Sequence, residues 1–251
     1  MRTYGLIGFP LGHSFSRKYF SEKFARENKE EQYLNFELED INGLPGILDS
    51  QPELAGFNVT IPYKQKVIPF LDRLDPVASA AGAVNTVKVV RKGDSVFLEG
   101  YNTDILGFWG SIAPLLKPGQ RKALILGSGG ASRGVQYAFR EAGIATLVVS
   151  RHPHASGMIS YEGISGEIME EYLIIVNTTP LGTTPHEDTC PPIPYPLVTS
   201  RHLLFDLVYN PPETLFLARG RARGATTCNG TGMLLLQAEK AYEIWNSNPQ
   251  P

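Results

Sequence analysis

The stretch from Arg121 to Arg151, RKALILGSGGASRGVQYAFREAGIATLVVSR, constrains this chain more than any other. An apolar run, Ala123 to Leu126, ends in a glycine cluster at Gly127, Gly129 and Gly130. A helix-forming segment runs on to Gly143, and a second apolar run follows from Thr146 to Val149. Strand, tight turn, helix and strand make a βαβ unit, whose glycines let backbone approach a pyrophosphate at a helix N-terminus. The strict G-x-G-x-x-G spacing is broken by Ser132, although Gly130, Ala131 and Gly134 keep the helix start small. A cofactor with a free ribose 2′-hydroxyl is usually met by Asp or Glu about 20 residues past the glycines. Ser150 and Arg151 stand there instead, a hydroxyl and a fixed cation, which favours a 2′-phosphate and hence NADP(H) over NAD(H). The competing reading is an ordinary crossover whose turn binds nothing and an Arg151 that is a solvated charge.

Composition limits the partners. The chain has 251 residues, enough for one large domain or two modest ones, with 42% hydrophobic and 19% charged residues. A formal net charge of −2 supplies no basic field for nucleic acid or an anionic membrane. Gly and Pro break the N-terminus too early for a signal-peptide core, and no apolar run approaches the roughly 18 residues that span a bilayer. Cys190 and Cys228 lie far apart without C-x-x-C spacing, so neither a redox pair nor a zinc site is expected. The pair His152 and His154 reads as a loop beside Arg151 rather than a metal site. No metal is expected, and the cytoplasm is the expected compartment.

Before the βαβ unit, elements alternate. Thr3 to Gly8 reads as a strand, Ser16 to Asn28 as a helix, and Tyr33 to Leu38 and Leu54 to Thr60 as strands. Ile61-Pro62 is expected to open a helix through Leu71, with Pro62 at the tolerated first position. Ala83 to Val90 and Val96 to Tyr101 form a hairpin around Lys92-Gly93-Asp94, and Asp104 to Leu116 suits a linking helix. After the unit come strands at Leu173 to Val176, Leu203 to Val208 and Ala225 to Thr227. Thr183 to Pro196 is a surface loop, and Gly232 to Trp245 is an amphipathic helix. The pattern predicts two α/β domains meeting at a cleft, the first with a mostly parallel, helix-covered sheet.

Several strings outside the glycine turn do not look like packing. His13-Ser14-Phe15-Ser16 follows the first strand and presents two hydroxyls near the ligand-binding edge of a sheet; either serine serves equally as a helix cap. In Asn58-Val59-Thr60-Ile61-Pro62-Tyr63-Lys64, Asn58 and Thr60 share one side of a strand end. Lys64 is expected in the first turn of a helix, where the dipole disfavours a cation, so it is either functional or simply solvated. Gly82 to Thr86 and Gly100 to Asp104 each carry an Asn-Thr pair at a strand end, and Asp104 is also a candidate N-cap. Together they offer Lys, Asp, Asn amides and hydroxyls: a set suited to a polyol carboxylate beside a hydride carrier.

Those strings, with GSGGASRG, VSR, NTTPLG, DLVYNPPET and the final NGTGMLLLQAEKAYEIW, make the chain resemble the shikimate dehydrogenases along nearly its whole length. The resemblance implies NADPH-dependent reduction of 3-dehydroshikimate to shikimate, a step toward aromatic amino acids. It implies an α/β substrate domain at 1–104, a Rossmann-like NADP-binding domain at 105–232, and a C-terminal helix, 233–251, returning to the first. Ser14 and Ser16 then hold the substrate carboxylate; Asn58, Thr60, Asn85 and Gln237 meet its ring hydroxyls, and Tyr209 is a further contact. Lys64 and Asp104 are the catalytic pair. Gly127, Ser128, Gly129, Gly130, Ala131, Ser132 and Arg133 form the pyrophosphate loop, and Ser150 and Arg151 the ribose-phosphate clamp. Thr178 and Met233 lie near the cofactor's other half. Two departures stand out: Arg17 replaces the usual Pro after the second serine, and Ala155 stands where a second clamp Arg is usual. A quinate/shikimate dehydrogenase with relaxed specificity is therefore the near rival. A non-catalytic NADP(H)-binding regulator would need neither Lys64 nor Asp104.

Overall fold

The computed structural model describes residues 1–12, 15–93 and 95–248. They divide into two units, Met1–Thr103 with Ala238–Pro251, and Asp104–Gln237. The first contains strand β1 (Arg2–Gly8), helix α1 (Phe15–Arg26), β2 (Glu31–Glu37), α2 (Leu44–Ser50), β3 (Leu54–Val59), β4 (Arg73–Leu74), α3 (Pro76–Ala81), β5 (Thr86–Lys92) and β6 (Ser95–Tyr101). Its sheet runs in the order β2-β1-β3-β5-β6-β4. β1 is parallel to β2 and β3, and β4 to β6, whereas the β5–β6 hairpin makes β5 antiparallel to both its neighbours. The sheet is thus mixed, with three of its five pairings parallel. Alternation along β1 sends Tyr4 and Leu6 into a cluster with Phe20, Phe24 and Tyr33, and Ile7 into a second cluster with Leu44, Phe57 and Val87.

Residues 61–71 are not the expected helix. They form successive turns and one short 3₁₀ segment, Ile68–Phe70. Tyr63, Ile68, Phe70 and Leu71 all donate to carbonyls three residues back. The Lys64 carbonyl, which Ile68 would take in an α-helix, accepts instead from Val84 N at 2.7 Å. Pro69 removes a further donor. The tertiary bond and the second proline together outweigh a permissive start. The argument that Lys64 opposes a helix dipole falls with the helix. The short helices α2 and α3 escaped the sequence reading because neither reaches two full turns; α3 is nonetheless fully signalled, by the Asp75 cap, Pro76 and the left-handed Gly82 (φ 60°).

The second unit opens with α4 (Thr103–Ile112), whose first residue belongs to the other unit, and continues with β7 (Lys122–Leu126), α5 (Gly130–Glu141), β8 (Ala145–Val149), β9 (Met158–Ile159), α6 (Gly166–Glu171), β10 (Ile174–Asn177), β11 (Leu203–Asp206), α7 (Leu215–Ala222) and β12 (Thr226–Cys228). All strands are parallel, in the order β12-β11-β10-β7-β8-β9, the Rossmann-like arrangement expected. Leu124, Leu126, Ile175 and Leu204 are fully buried at its centre. β11 stops at Asp206, short of Val208, because the Val208 N–H turns back to the Asp206 carboxylate at 3.0 Å.

The final helix, α8 (Thr231–Asn246), belongs to the second unit through Gln237 and to the first from Ala238. In the first unit, Ala238, Ala241 and Trp245 complete the aromatic cluster: Trp245 stacks on Tyr4 at 4.8 Å and donates Nε1–H to the Val87 carbonyl at 3.0 Å. Lys23, buried on α1, pairs with Glu239 at 2.9 Å and Glu27 at 2.9 Å, which satisfies its charge. Among the described residues, no helix is long and apolar enough to cross a membrane.

Candidate active site

Backbone hydrogen bonds lace three of the singled-out strings together in the first unit. Val59 N donates to the Asn85 carbonyl at 2.9 Å, Val84 N to that of Lys64 at 2.7 Å, and Asn85 N to that of Tyr101 at 3.1 Å. Asn58 and Asn85 are buried here, and half-buried Lys64 is pinned by its backbone to the residue before Asn85. Thr60 is half-buried at the end of β3, with its N–H on the Ile7 carbonyl at 2.9 Å.

The two amides have fixed orientations. Thr103 N–H, which can only donate, lies 2.7 Å from Asn85 Oδ1, so Asn85 Nδ2 must face the other way, toward Thr103 Oγ1 at 3.0 Å. The Asn85 carbonyl, which can only accept, takes Asn58 Nδ2 at 3.2 Å, and Thr86 Oγ1 takes it at 3.1 Å. Asn58 Oδ1 is therefore an acceptor, filled on one side by the Tyr33 hydroxyl at 2.8 Å. Burial pushes the Tyr33 phenol far above its usual range, so it remains a donor. With Nδ2 committed, Asn58 offers a ligand hydroxyl an acceptor, while Asn85, its Oδ1 committed, offers a donor.

Ser16 lies in the first turn of α1, inside the helix, and its hydroxyl bonds to Tyr33. Ser16 is thus not the helix N-cap, and its bond joins α1 to the Asn58 network. Ser14 lies outside the described residues.

In the second unit, α5 begins at Gly130 with Gly129 as N-cap and, among the described residues, no side-chain cap. Its first N–H groups are thus left for a ligand. Gly127 has φ 109°, and a Cβ there would lie 2.8 Å from Thr178 Oγ1, so only glycine fits the turn. At Gly129 an added Cβ meets nothing within 4 Å, which leaves open space over the helix start. Arg133 reaches back: its Nη2 is 3.9 Å from where a Gly130 Cβ would be. Gly129, Gly130, Ala131 and Arg133 are exposed, whereas Ser132 is fully buried and accepts from Gln136 Nε2 at 3.1 Å. The Ser132 side chain therefore takes the third glycine's place as a packing group, and its backbone N–H stays in the first turn of α5.

At the end of β8, buried Ser150 meets Ser128 Oγ at 3.2 Å and accepts from His152 N at 3.2 Å, tying the end of β8 to the glycine turn. Arg151 is exposed, close enough to Tyr161 to act on its phenol. Thr178 turns its hydroxyl onto the Leu126 carbonyl at 2.7 Å, bracing the same turn. Asp104 sits within the first turn of α4, inside the helix rather than at its N-cap. α4 and α8 cross at Gly107, where a Cβ would meet the Met233 carbonyl at 2.6 Å and Gln237 N at 3.0 Å. Gln237 is buried and donates to the Leu234 carbonyl at 3.0 Å; Met233 is half-buried, and Tyr209 is exposed beyond β11. The sequence reading missed Tyr33, whose only signal is a place on an alternating strand. It also missed Asp206, signalled by a carboxylate closing an apolar strand.

Comparison with known proteins gives the chain's relatives. Residues 6–87 match the family model described as the shikimate dehydrogenase substrate binding domain. The shikimate dehydrogenase (NADP(+)) of Desulforamulus reducens is 35% identical, over 98% of this chain and 90% of that protein. Among solved structures, a Thermus thermophilus shikimate 5-dehydrogenase in complex with NADP(H) and shikimate gives a TM-score of 0.83 at 31% identity, covering 100% of this chain and 96% of that one. A Listeria monocytogenes shikimate 5-dehydrogenase in complex with shikimate and NAD gives 0.87 at 27% identity, covering 100% and 93%.

Proposed function

Since the chain belongs to the shikimate dehydrogenase family, we propose that it catalyses the reversible, NADPH-dependent reduction of 3-dehydroshikimate to shikimate, in the cytoplasm, as a step toward aromatic amino acids. The observation that carries this reading is the pair of amides with fixed, opposite polarity, Asn58 accepting and Asn85 donating, pinned by backbone to Lys64. Such a set suits vicinal ring hydroxyls. The first unit is assigned to the substrate and the second to the cofactor.

The residues present fit NADP(H). The uncapped start of α5 over open space would take the pyrophosphate, and Arg151 with Ser150 the 2′-phosphate. When bound, the cofactor supplies the hydride. The chain's own work is orientation and charge. Ser14 and Ser16 are assigned to the carboxylate, with Thr60, Gln237 and Tyr209 as further substrate contacts; Thr178 and Met233 are assigned to the nicotinamide side. Lys64 is assigned to the carbonyl oxygen, where an ammonium stabilises negative charge as it develops and delivers the proton that completes the hydroxyl. Asp104 is assigned as the second member of the catalytic pair.

The test is steady-state oxidation of shikimate and of quinate, each with NADP⁺ and NAD⁺. Shikimate with NADP⁺ should give the highest kcat/KM. A single guanidinium on the 2′-phosphate, at about 1.5–3 kcal/mol, supports a cofactor preference of roughly 10- to 150-fold. Comparable quinate turnover would make the enzyme a quinate/shikimate dehydrogenase, and no shikimate turnover with either cofactor would overturn the reading.

A further inference from the structure

Asp206 is a fully buried carboxylate at the end of β11 that none of the roles above uses. Three donors converge on it. Val208 N lies 3.0 Å and Asn177 Nδ2 2.9 Å from Oδ1, and Thr214 Oγ1 lies 2.6 Å from Oδ2. None of these three can readily reverse. A backbone N–H only donates. Asn177 is oriented by Thr179, whose N–H and hydroxyl both bond to its Oδ1, at 3.0 and 2.7 Å. Thr214 caps α7 by accepting from Leu217 N at 3.4 Å, which directs its own proton to Asp206. The site is built for the ionised carboxylate.

What those donors carry gives the site its meaning. Asn177 heads the turn containing Thr178, Val208 precedes Tyr209, and Thr214 closes the loop between Tyr209 and α7. We propose that Asp206 is a positioning residue for the reaction, holding as a carboxylate the two loops at this sheet edge that present Thr178 and Tyr209. The proposal rests on the family reading of those two residues.

Burial pushes the Asp206 carboxyl up to about 6, against the pull of Thr214, Val208 and Asn177. The ionisable side chains on the surrounding elements include, among the described residues, Tyr195, the exposed Tyr209, Glu213, Arg219, Arg221 and Cys228. Burial raises the phenol of Tyr195 far above its usual range and leaves it neutral, and Glu213 and Arg221 pair with each other at 2.8 Å. Arg219 lies over the Tyr195 ring at 5.0 Å, and burial raises the Cys228 thiol. Because the folded carboxyl binds its proton more tightly than the unfolded one, its ionisation lowers stability above about pH 6. That loss is relieved as pH falls toward the ordinary range.

The experiment compares wild type with Asp206→Asn and Thr214→Val at saturating NADP⁺. In wild type, kcat/KM for shikimate should fall below about pH 6. Asp206→Asn should raise KM for shikimate about tenfold or more and lose that acidic limb, and Thr214→Val should move the limb to higher pH. In the ligand-free chain, urea unfolding should show wild type gaining about tenfold in its folding equilibrium over Asp206→Asn between pH 7 and pH 5. A KM within twofold of wild type, or three superimposable pH profiles, would overturn the proposal. Should Asp206→Asn not fold, the limb of Thr214→Val decides alone. A wild type that does not oxidise shikimate counts against the family reading instead, while the unfolding comparison still judges the carboxylate.

Discussion

Asn58 and Asn85 show how much a single residue's meaning depends on groups the sequence places far away. As letters they are two amides, each able to donate or accept. In the fold, the backbone N–H of Thr103 and the backbone carbonyl of Asn85 fix both orientations, and the two become different reagents. Lys64 changes in the opposite sense: the electrostatic argument for it disappears with the helix, and its place beside Asn85 replaces it. Lys64→Ala should lower kcat by roughly 10²- to 10⁴-fold, the usual worth of a positioned acid–base group. Alanine keeps the bond from Val84 N to the carbonyl of residue 64, and the variant's melting temperature checks that the fold is retained. Near-wild-type kcat would remove Lys64 from the mechanism.

The glycine turn before α5 is the element to which the proposal assigns the cofactor's pyrophosphate, and its glycines divide by what constrains them. Gly127 is required by the fold: its φ of 109° and the nearby Thr178 hydroxyl exclude a side chain. Gly129 is not required by the fold, since its conformation (φ −80°, ψ −170°) suits any residue and a methyl there meets nothing in the protein; the proposed pyrophosphate site is what would require it. Gly127→Ala should therefore lower stability by about 1–3 kcal/mol and also raise KM for NADP⁺. Gly129→Ala should leave the melting temperature unchanged and still weaken NADP⁺. Thermal unfolding and cofactor titration of both variants check this. If Gly129→Ala bound NADP⁺ normally, the pyrophosphate would not sit on the helix start.

Across the whole molecule, α8 brings residues more than 200 positions from β1 into the first unit's core. Trp245 packs against Tyr4, Phe20 and Tyr33, and the indole lies directly on Gly56, where any side chain would collide. Trp245→Ala should cost about 3–5 kcal/mol, the range for losing a buried large aromatic. Denaturant unfolding measures it. A loss below about 1 kcal/mol would mean the first unit holds its aromatic cluster without the helix.

The sequence by itself determined the βαβ stretch and the main strands of the second unit, though not β9, α6 or α7: the βαβ signals are local, a run of apolar strand, a glycine turn and a helix within about 30 residues. It also determined the family, because the motif strings keep their order along the chain. Tertiary structure decided the rest. Residues 61–71 carry helix-compatible letters, yet a bond from Val84 takes the carbonyl that an α-turn would need. Ser132 occupies a glycine's place, and only packing reveals it as buried and structural. The roles of Tyr33, Ser16 and Asp206 depend on side-chain partners 8 to 29 positions away in sequence. Hydrogen-bond direction at a buried polar group is set by whichever fixed donor or acceptor the fold brings against it, and composition and periodicity carry no trace of that choice.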